Sequence, residues 1–209
     1  MRSKSVFIVF EGIDGTGKTE ALSKLIPHLV TRHKEFSSIV LTKEPTCGST
    51  GNKIRKLHRA DIKDPELFFR LFCLDRSEHI ERTIKPALKT NSLIISDRYA
   101  YSTLAYQSVQ GIPKKTLQHY SFLKPNLVIL FDAPAKTVMK RIYRRKKAPE
   151  VFEHTRFLEN ARQEFLKIAK KTKKPRFVVI DASKNRKTVA LSVQKAVEKF
   201  LFDSSRNRF

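Results

Sequence analysis

Five short, nearly unbroken apolar runs, spread along the whole chain, limit its fold more than any other feature. They are SVFIVF at 5–10, SIVLT at 38–42, SLIIS at 92–96, NLVILF at 126–131 and RFVVI at 176–180. A strand with one wet face alternates polar and apolar residues, whereas runs this continuous read as parallel strands covered on both sides. Stretches with helical period separate each neighbouring pair. Strands alternating with helices predict an α/β fold: a doubly wound, five-stranded parallel sheet with helices on both faces. Neither an internal repeat nor a Gly/Ser linker divides the 209 residues, which predicts one domain over 1–209.

None of these runs approaches the roughly 18 residues needed to span a bilayer. The basic start MRSKS is followed by an apolar stretch that stops at Glu11, without the pattern of a signal peptide, so a cytoplasmic location and no membrane contact are expected. Cys47 and Cys73 lack ligand spacing and the histidines are scattered, which leaves zinc and disulfide readings without support. The tail DSSRNRF is expected to fray. The stretch ELFFRLFCL at 66–74 is apolar on almost every side. Such a helix is expected to be buried twice, under the sheet and against a second subunit, which predicts a homodimer.

The formal net charge is +23, and residues 134–209 carry 22 basic against 7 acidic side chains. A charge of that size suits an anionic substrate, a polyanionic partner or a merely solvated lysine-rich surface. Aromatic residues do not interleave with the basic ones as a base-stacking platform requires, which makes nucleic acid an unlikely partner.

Directly after the first run stands GIDGTGKT, residues 12–19, matching G-x-x-x-x-G-K-[ST] at a strand-to-helix junction. The glycines Gly12, Gly15 and Gly17, with Ile13, Asp14 and Thr16, would turn backbone N–H groups around phosphate oxygens. Lys18 would reach the β- and γ-phosphates, and the Thr19 hydroxyl would ligate Mg²⁺. Such a loop indicates nucleotide binding without fixing the reaction. No NKxD base-recognition sequence follows, and no long strand ends in DE. Instead the third run ends in SDRY, which places Asp97 and Arg98 at the carboxyl edge of the sheet beside the loop. Asp97 can serve a donor phosphate through Mg²⁺ and Arg98 can grip an acceptor phosphate bidentately. The alternative is a structural ion pair at a strand end.

In order along the chain, FEGIDGTGKT (10–19), TKEPT (42–46), GNKIR (51–55), LFCLDRSEHIERTIKPAL (71–88), SDRYAYSTLAYQ (96–107), FDAPAKTVMKRI (131–142) and VVIDAS (178–183) resemble the thymidylate kinases. These enzymes, of the P-loop kinase fold, move the γ-phosphoryl of ATP onto dTMP. The resemblance implies that Phe72 stacks on thymine, that Arg76 one helical turn on bonds the base O4, and that Thr103 and Gln107 face the base. It implies that Tyr106 crowds the sugar 2′ position and that Asp14 meets the acceptor's 3′-hydroxyl. Arg55 and Arg98 match the pair that holds the dTMP phosphate, while Glu44 and Pro45, joined by a bond often cis in the family, form the loop beneath it. Phe72 also reads as core beside Phe68 and Phe69, Tyr106 as a packed helix tyrosine, and Arg55 as a plain surface arginine.

KRIYRRKK occupies the family's lid, about 141–150. Some members carry an arginine inside the phosphate loop and others supply it from the lid. Gly15 holds the loop position here, so the resemblance implies that Arg141, Arg144 or Arg145 neutralises the transferred phosphoryl, with the choice open. Asp181, Ala182 and Ser183 correspond to the loop beside adenine. The chain departs from many relatives in EPTCGST, and in Glu150 and Val151, where an Asp-Arg pair tied to lid closure is usual. A related deoxynucleoside monophosphate kinase with a changed acceptor, and a P-loop protein that binds nucleic acid, are the competing readings.

Overall fold

The computed structural model describes residues 5–57, 64–146 and 152–206. All five apolar runs are strands: β1 (Val6–Glu11), β2 (Ser38–Lys43), β3 (Ser92–Asp97), β4 (Leu127–Asp132) and β5 (Arg176–Asp181). Every pairing is parallel and the order is β2-β3-β1-β4-β5. The three central strands are buried along almost their whole length, which accounts for their unbroken apolar sequence.

The helices are α1 (Lys18–Arg32), α2 (Ser49–Lys56), α3 (Pro65–His79), α4 (Lys85–Leu88), α5 (Ala100–Val109), α6 (Lys114–His119), α7 (Ala135–Lys146), α8 (Phe152–Lys171) and α9 (Arg186–Arg206). A single π turn, Ile80–Ile84, joins α3 to α4. The step from β1 to β2 runs one way along the sheet and every later step runs the other. Right-handed crossovers therefore put α1 on one face and α3, α5 and α8 on the other. Packing agrees, with α1 against α9 and α5 against α3 and α8. The chain reverses direction at β1, so ligands are expected outside the carboxyl end of that strand. There Gly12 (φ 134°) lies so close to β4 that a Cβ would come within 2.4 Å of the Phe131 carbonyl oxygen.

Helix α3, capped by the Asp64 carboxylate accepting from the Glu66 and Leu67 N–H groups, buries Phe68 and Phe69, but leaves Leu67 54% and Leu74 51% exposed. One side of the helix is covered by the chain and the other is open. The tail does not fray at residue 203, because α9 continues to Arg206, with the Arg206 guanidinium 4.6 Å from the Phe202 ring centre and Asp203 3.5 Å from Arg176.

Candidate active site

The phosphate loop, residues 12–19, closes over the carboxyl end of β1. Gly17, left-handed at φ 91°, precedes the first turn of α1 and leaves its N–H groups pointing outward, a ready seat for an anion. Lys18 is only 6% exposed, and its Nζ donates to the Gly12 and Ile13 carbonyls at 2.9 and 3.1 Å. Burial and then the Arg98 cation pull its pKa down to about 8, against the opposing pull of Asp97, Asp14 and Glu11.

The Thr19 hydroxyl donates to Asp97 Oδ2 at 3.1 Å. Asp97 Oδ1 is buried and without a hydrogen-bond partner among the described residues. A hydroxyl and a carboxylate oxygen with spare capacity, both facing the phosphate loop, form a donor set of the hard-oxygen kind that suits Mg²⁺.

A second cleft opens across Asp14 and Arg98. One wall comes from the β2–α2 loop, α2 and α3, through Pro45, Ile54, Arg55, Phe68 and Phe72; the other comes from α5, through Ser102, Thr103, Tyr106 and Gln107. Phe72 stands on the cleft with its ring edge-on to Phe68 at 4.9 Å. Arg55 donates to the Pro45 carbonyl at 2.8 Å and to Asn52 at 2.6 Å, which aims α2 over the cleft. Gln107 donates to Gln110 at 2.8 Å. Tyr106 donates to Asp14 Oδ2 at 3.4 Å and accepts from the Asp14 N–H at 3.2 Å, and its ring packs on Phe157 and Phe165 of α8.

Arg98 is the hinge between the two clefts. It holds a left-handed φ of 71°, unusual for a residue with a side chain. Its guanidinium donates to Asp14 Oδ1 at 2.6 Å and Ser102 Oγ at 2.8 Å, and lies 5.5 Å from the Tyr106 ring centre. Burial alone would lower its pKa, but the Asp14 carboxylate, together with Tyr106, Glu11 and Asp97, outweighs this and holds it above the ordinary arginine value.

The third part lies beyond the phosphate loop, where Arg141 and Arg144 of α7 face Lys184 to Arg186. Arg141 donates to the carbonyls of Ala182, Ser183 and Lys184 at 2.7, 2.8 and 3.2 Å. Asp181 in turn accepts from the Ser183 N–H at 3.0 Å. Arg141 is therefore engaged in shaping the 181–184 loop, whereas Arg144 faces the cleft. The Arg145 side chain and residues 147–150 of the expected lid, with Glu150, lie outside the described residues, as does Val151 after it.

Against this geometry stand the comparisons with known proteins. Residues 10–193 match the family model described as "Thymidylate kinase". A "Probable thymidylate kinase" of Thermococcus onnurineus is 38% identical, covering 83% of this chain and 88% of that protein. One from Thermococcus kodakarensis is 35% identical over 94% and 98%, and one from Methanosarcina barkeri is 37% identical over 96% and 98%. The chain belongs to the thymidylate kinase family.

Two residues that the family resemblance assigned to the substrate stand back from the cleft. Arg76 is 1% exposed; it donates to Glu44 Oε2 at 2.9 Å from Nε, to Thr103 at 2.7 Å and to Tyr120 at 3.1 Å. Glu44, itself buried, also bonds His79 at 2.9 Å, so its oxygens serve α3. The Glu44–Pro45 bond is cis, in keeping with what the resemblance implied. Thr103 connects Arg76 to the cleft wall.

Other members of the site escaped the sequence reading. Asp75 accepts from the Thr46 N–H at 2.8 Å and from its hydroxyl at 2.5 Å, tying the loop before α2 to α3. Arg162 of α8 makes a two-pronged contact with Asp132 at 2.6 and 3.0 Å, fixing the helix that follows the lid to the end of β4. Glu11 and Ser102, linked beneath Arg98, were also missed. A carboxylate directly after a buried run was the one available signal, since an ionisable group is rarely fully buried without a task.

Proposed function

We propose that the protein, acting as a single domain in the cytoplasm, transfers the γ-phosphoryl group of ATP to dTMP, giving dTDP. The observation that carries this reading is the meeting of two clefts at Arg98 and Asp14: a main-chain phosphate cradle on one side, an aromatic slot with two arginines on the other. Thymidylate kinase relatives aligned over nearly the full length support the acceptor, and the oxygen donors at Thr19 and Asp97 support Mg²⁺ as the companion of ATP.

Phosphoryl transfer passes through a loose transition state, so the protein's work is alignment and neutralisation of charge. The cradle and Lys18 hold the donor phosphates. Thr19 and Asp97 would hold Mg²⁺, which supplies positive charge to the phosphate oxygens. Arg98 and Arg55 fix the acceptor phosphate, which is already anionic and needs no base to become a nucleophile. Phe72 stacks on the base, Tyr106 leaves no room for a 2′-hydroxyl, and Asp14 is placed for the sugar hydroxyl. Arg144 is the described lid arginine available to the transferring group, and segment 141–150 excludes water on closure.

A coupled ADP assay across dTMP, dUMP, dCMP, dGMP and thymidine tests the reading. Turnover is expected to be fastest with dTMP, with dUMP second because a methyl group discriminates by only about 1 kcal/mol or somewhat more. Thymidine, lacking the phosphate, should give none. Fastest turnover with dGMP or dCMP would move the assignment to another monophosphate kinase.

The open side of α3, with Leu67 and Leu74 one heptad apart, supports a homodimer built on that face. Sedimentation at micromolar concentration should give twice the chain mass, and Leu74→Glu should return it to the monomer. Among the described residues no helix is long and apolar enough to cross a membrane.

A further inference from the structure

Glu11 ends the central strand with no exposed surface, yet it lies outside the phosphate loop and touches neither cleft directly. Its carboxylate is fully engaged with the turn that carries Arg98. Oε1 accepts from the Tyr99 N–H at 3.0 Å and the Ser102 N–H at 3.2 Å, and Oε2 accepts from the Ser102 hydroxyl at 2.5 Å. The first turn of α5 thus receives its negative cap from another element.

The hydroxyl of Ser102 has one proton. Because it goes to Glu11, the lone pairs of the same oxygen face Arg98 Nη1, 2.8 Å away. We propose that Glu11 is a positioning residue for the acceptor phosphate, acting through Ser102 to set the orientation of the Arg98 guanidinium. The inference rests on the reading of Arg98 as the acceptor-phosphate grip.

Proton uptake by Glu11 would reverse the chain of donors. A carboxylic acid at Oε2 becomes a donor to Ser102, so the Ser102 proton loses the anionic acceptor that fixed it and the hydroxyl is free to rotate, no longer holding its lone pairs on Arg98. Burial raises the Glu11 pKa to about 7, with the Ser102 bonds and the Arg98 and Lys18 cations drawing it back from a higher value. The charged and titratable groups facing it are Lys18 of α1, Arg98 of the turn and the Tyr101 phenol of α5. The same contact that orients Arg98 therefore weakens as pH falls through neutrality.

The test compares KM for dTMP and for ATP in wild type and Glu11→Gln across about pH 5.5 to 8.5, with folding checked by thermal melting. At about pH 8 the substitution should raise the dTMP KM about tenfold or more, the effect of losing a charge-assisted bond, and change the ATP KM less than about twofold. The ratio of mutant to wild-type dTMP KM should fall toward one below about pH 6, where the wild type has itself taken up the proton; the ionisation of dTMP cancels in that ratio. If Glu11→Gln does not fold, Ser102→Ala cuts the same link while Glu11 keeps the Tyr99 and Ser102 N–H groups, and the same selective rise is expected. A ratio independent of pH, or equal effects on the two substrates, overturns the inference. Arg98→Ala separates the two levels. If it fails to act selectively on dTMP, the acceptor assignment is wrong; if it acts selectively while Glu11→Gln and Ser102→Ala do not, only the role of Glu11 is.

Discussion

Replacing Lys18 by alanine should cost at least about a hundredfold in turnover, the loss typical of removing a preorganised donor to transition-state charge. In the structure the ammonium is enclosed and bonded to the Gly12 and Ile13 carbonyls of its own loop, so it is already paid for in desolvation before any phosphate arrives. A donor triphosphate supplies a direct anionic partner for this buried cation, whose hydrogen bonds among the described residues go to carbonyl and hydroxyl oxygens. Because the group titrates at about 8 without ligand, phosphate binding should draw a proton from solvent above that pH. Calorimetry of ATP binding in two buffers of different ionisation heat would detect that uptake in wild type and should show none in Lys18→Ala. Near-normal turnover of a folded Lys18→Ala would remove Lys18 from the mechanism.

Arg98→Ala should raise the dTMP KM roughly ten- to hundredfold and the ATP KM far less. Two of the five N–H donors of Arg98 go to Asp14 and Ser102, which lock the plane of the guanidinium over the Tyr106 ring and leave further donors for an anion. Lysine should rescue poorly, since a point charge reproduces neither the fork nor the ring contact. Equal losses for both substrates in steady-state kinetics would contradict the acceptor role.

The strands and the phosphate loop were legible in the sequence because each depends on a local rule. Continuous apolar runs mean two-sided burial, and a glycine-rich loop after the first of them means a phosphate cradle. The sheet order was not legible, since it follows from crossovers whose direction no single segment encodes. Within the site, Phe72, Arg55 and Tyr106 could be named because the motifs that carry the family resemblance include them. Arg76 illustrates what spacing leaves out: it shares a helix face with Phe72, yet Glu44, Thr103 and Tyr120 draw it into the interior. Asp75, Ser102 and Arg162 were missed for a similar reason. Their partners Thr46, Glu11 and Asp132 lie on distant segments and meet them only through tertiary packing. The open side of α3 shows the converse, an apolar sequence that a single chain does not bury.

The close seating of Gly12 against the Phe131 carbonyl also bears on motion. With no space for even a methyl group between them, the cradle and the middle of the sheet behave as the fixed jaw of a clamp. If two nucleotides bind as proposed, closing around them would fall to the outer pieces, α2 riding on α3 and α7 ahead of α8. Substitutions that stiffen those joints should slow the opening that frees products, while leaving the grip on phosphate intact.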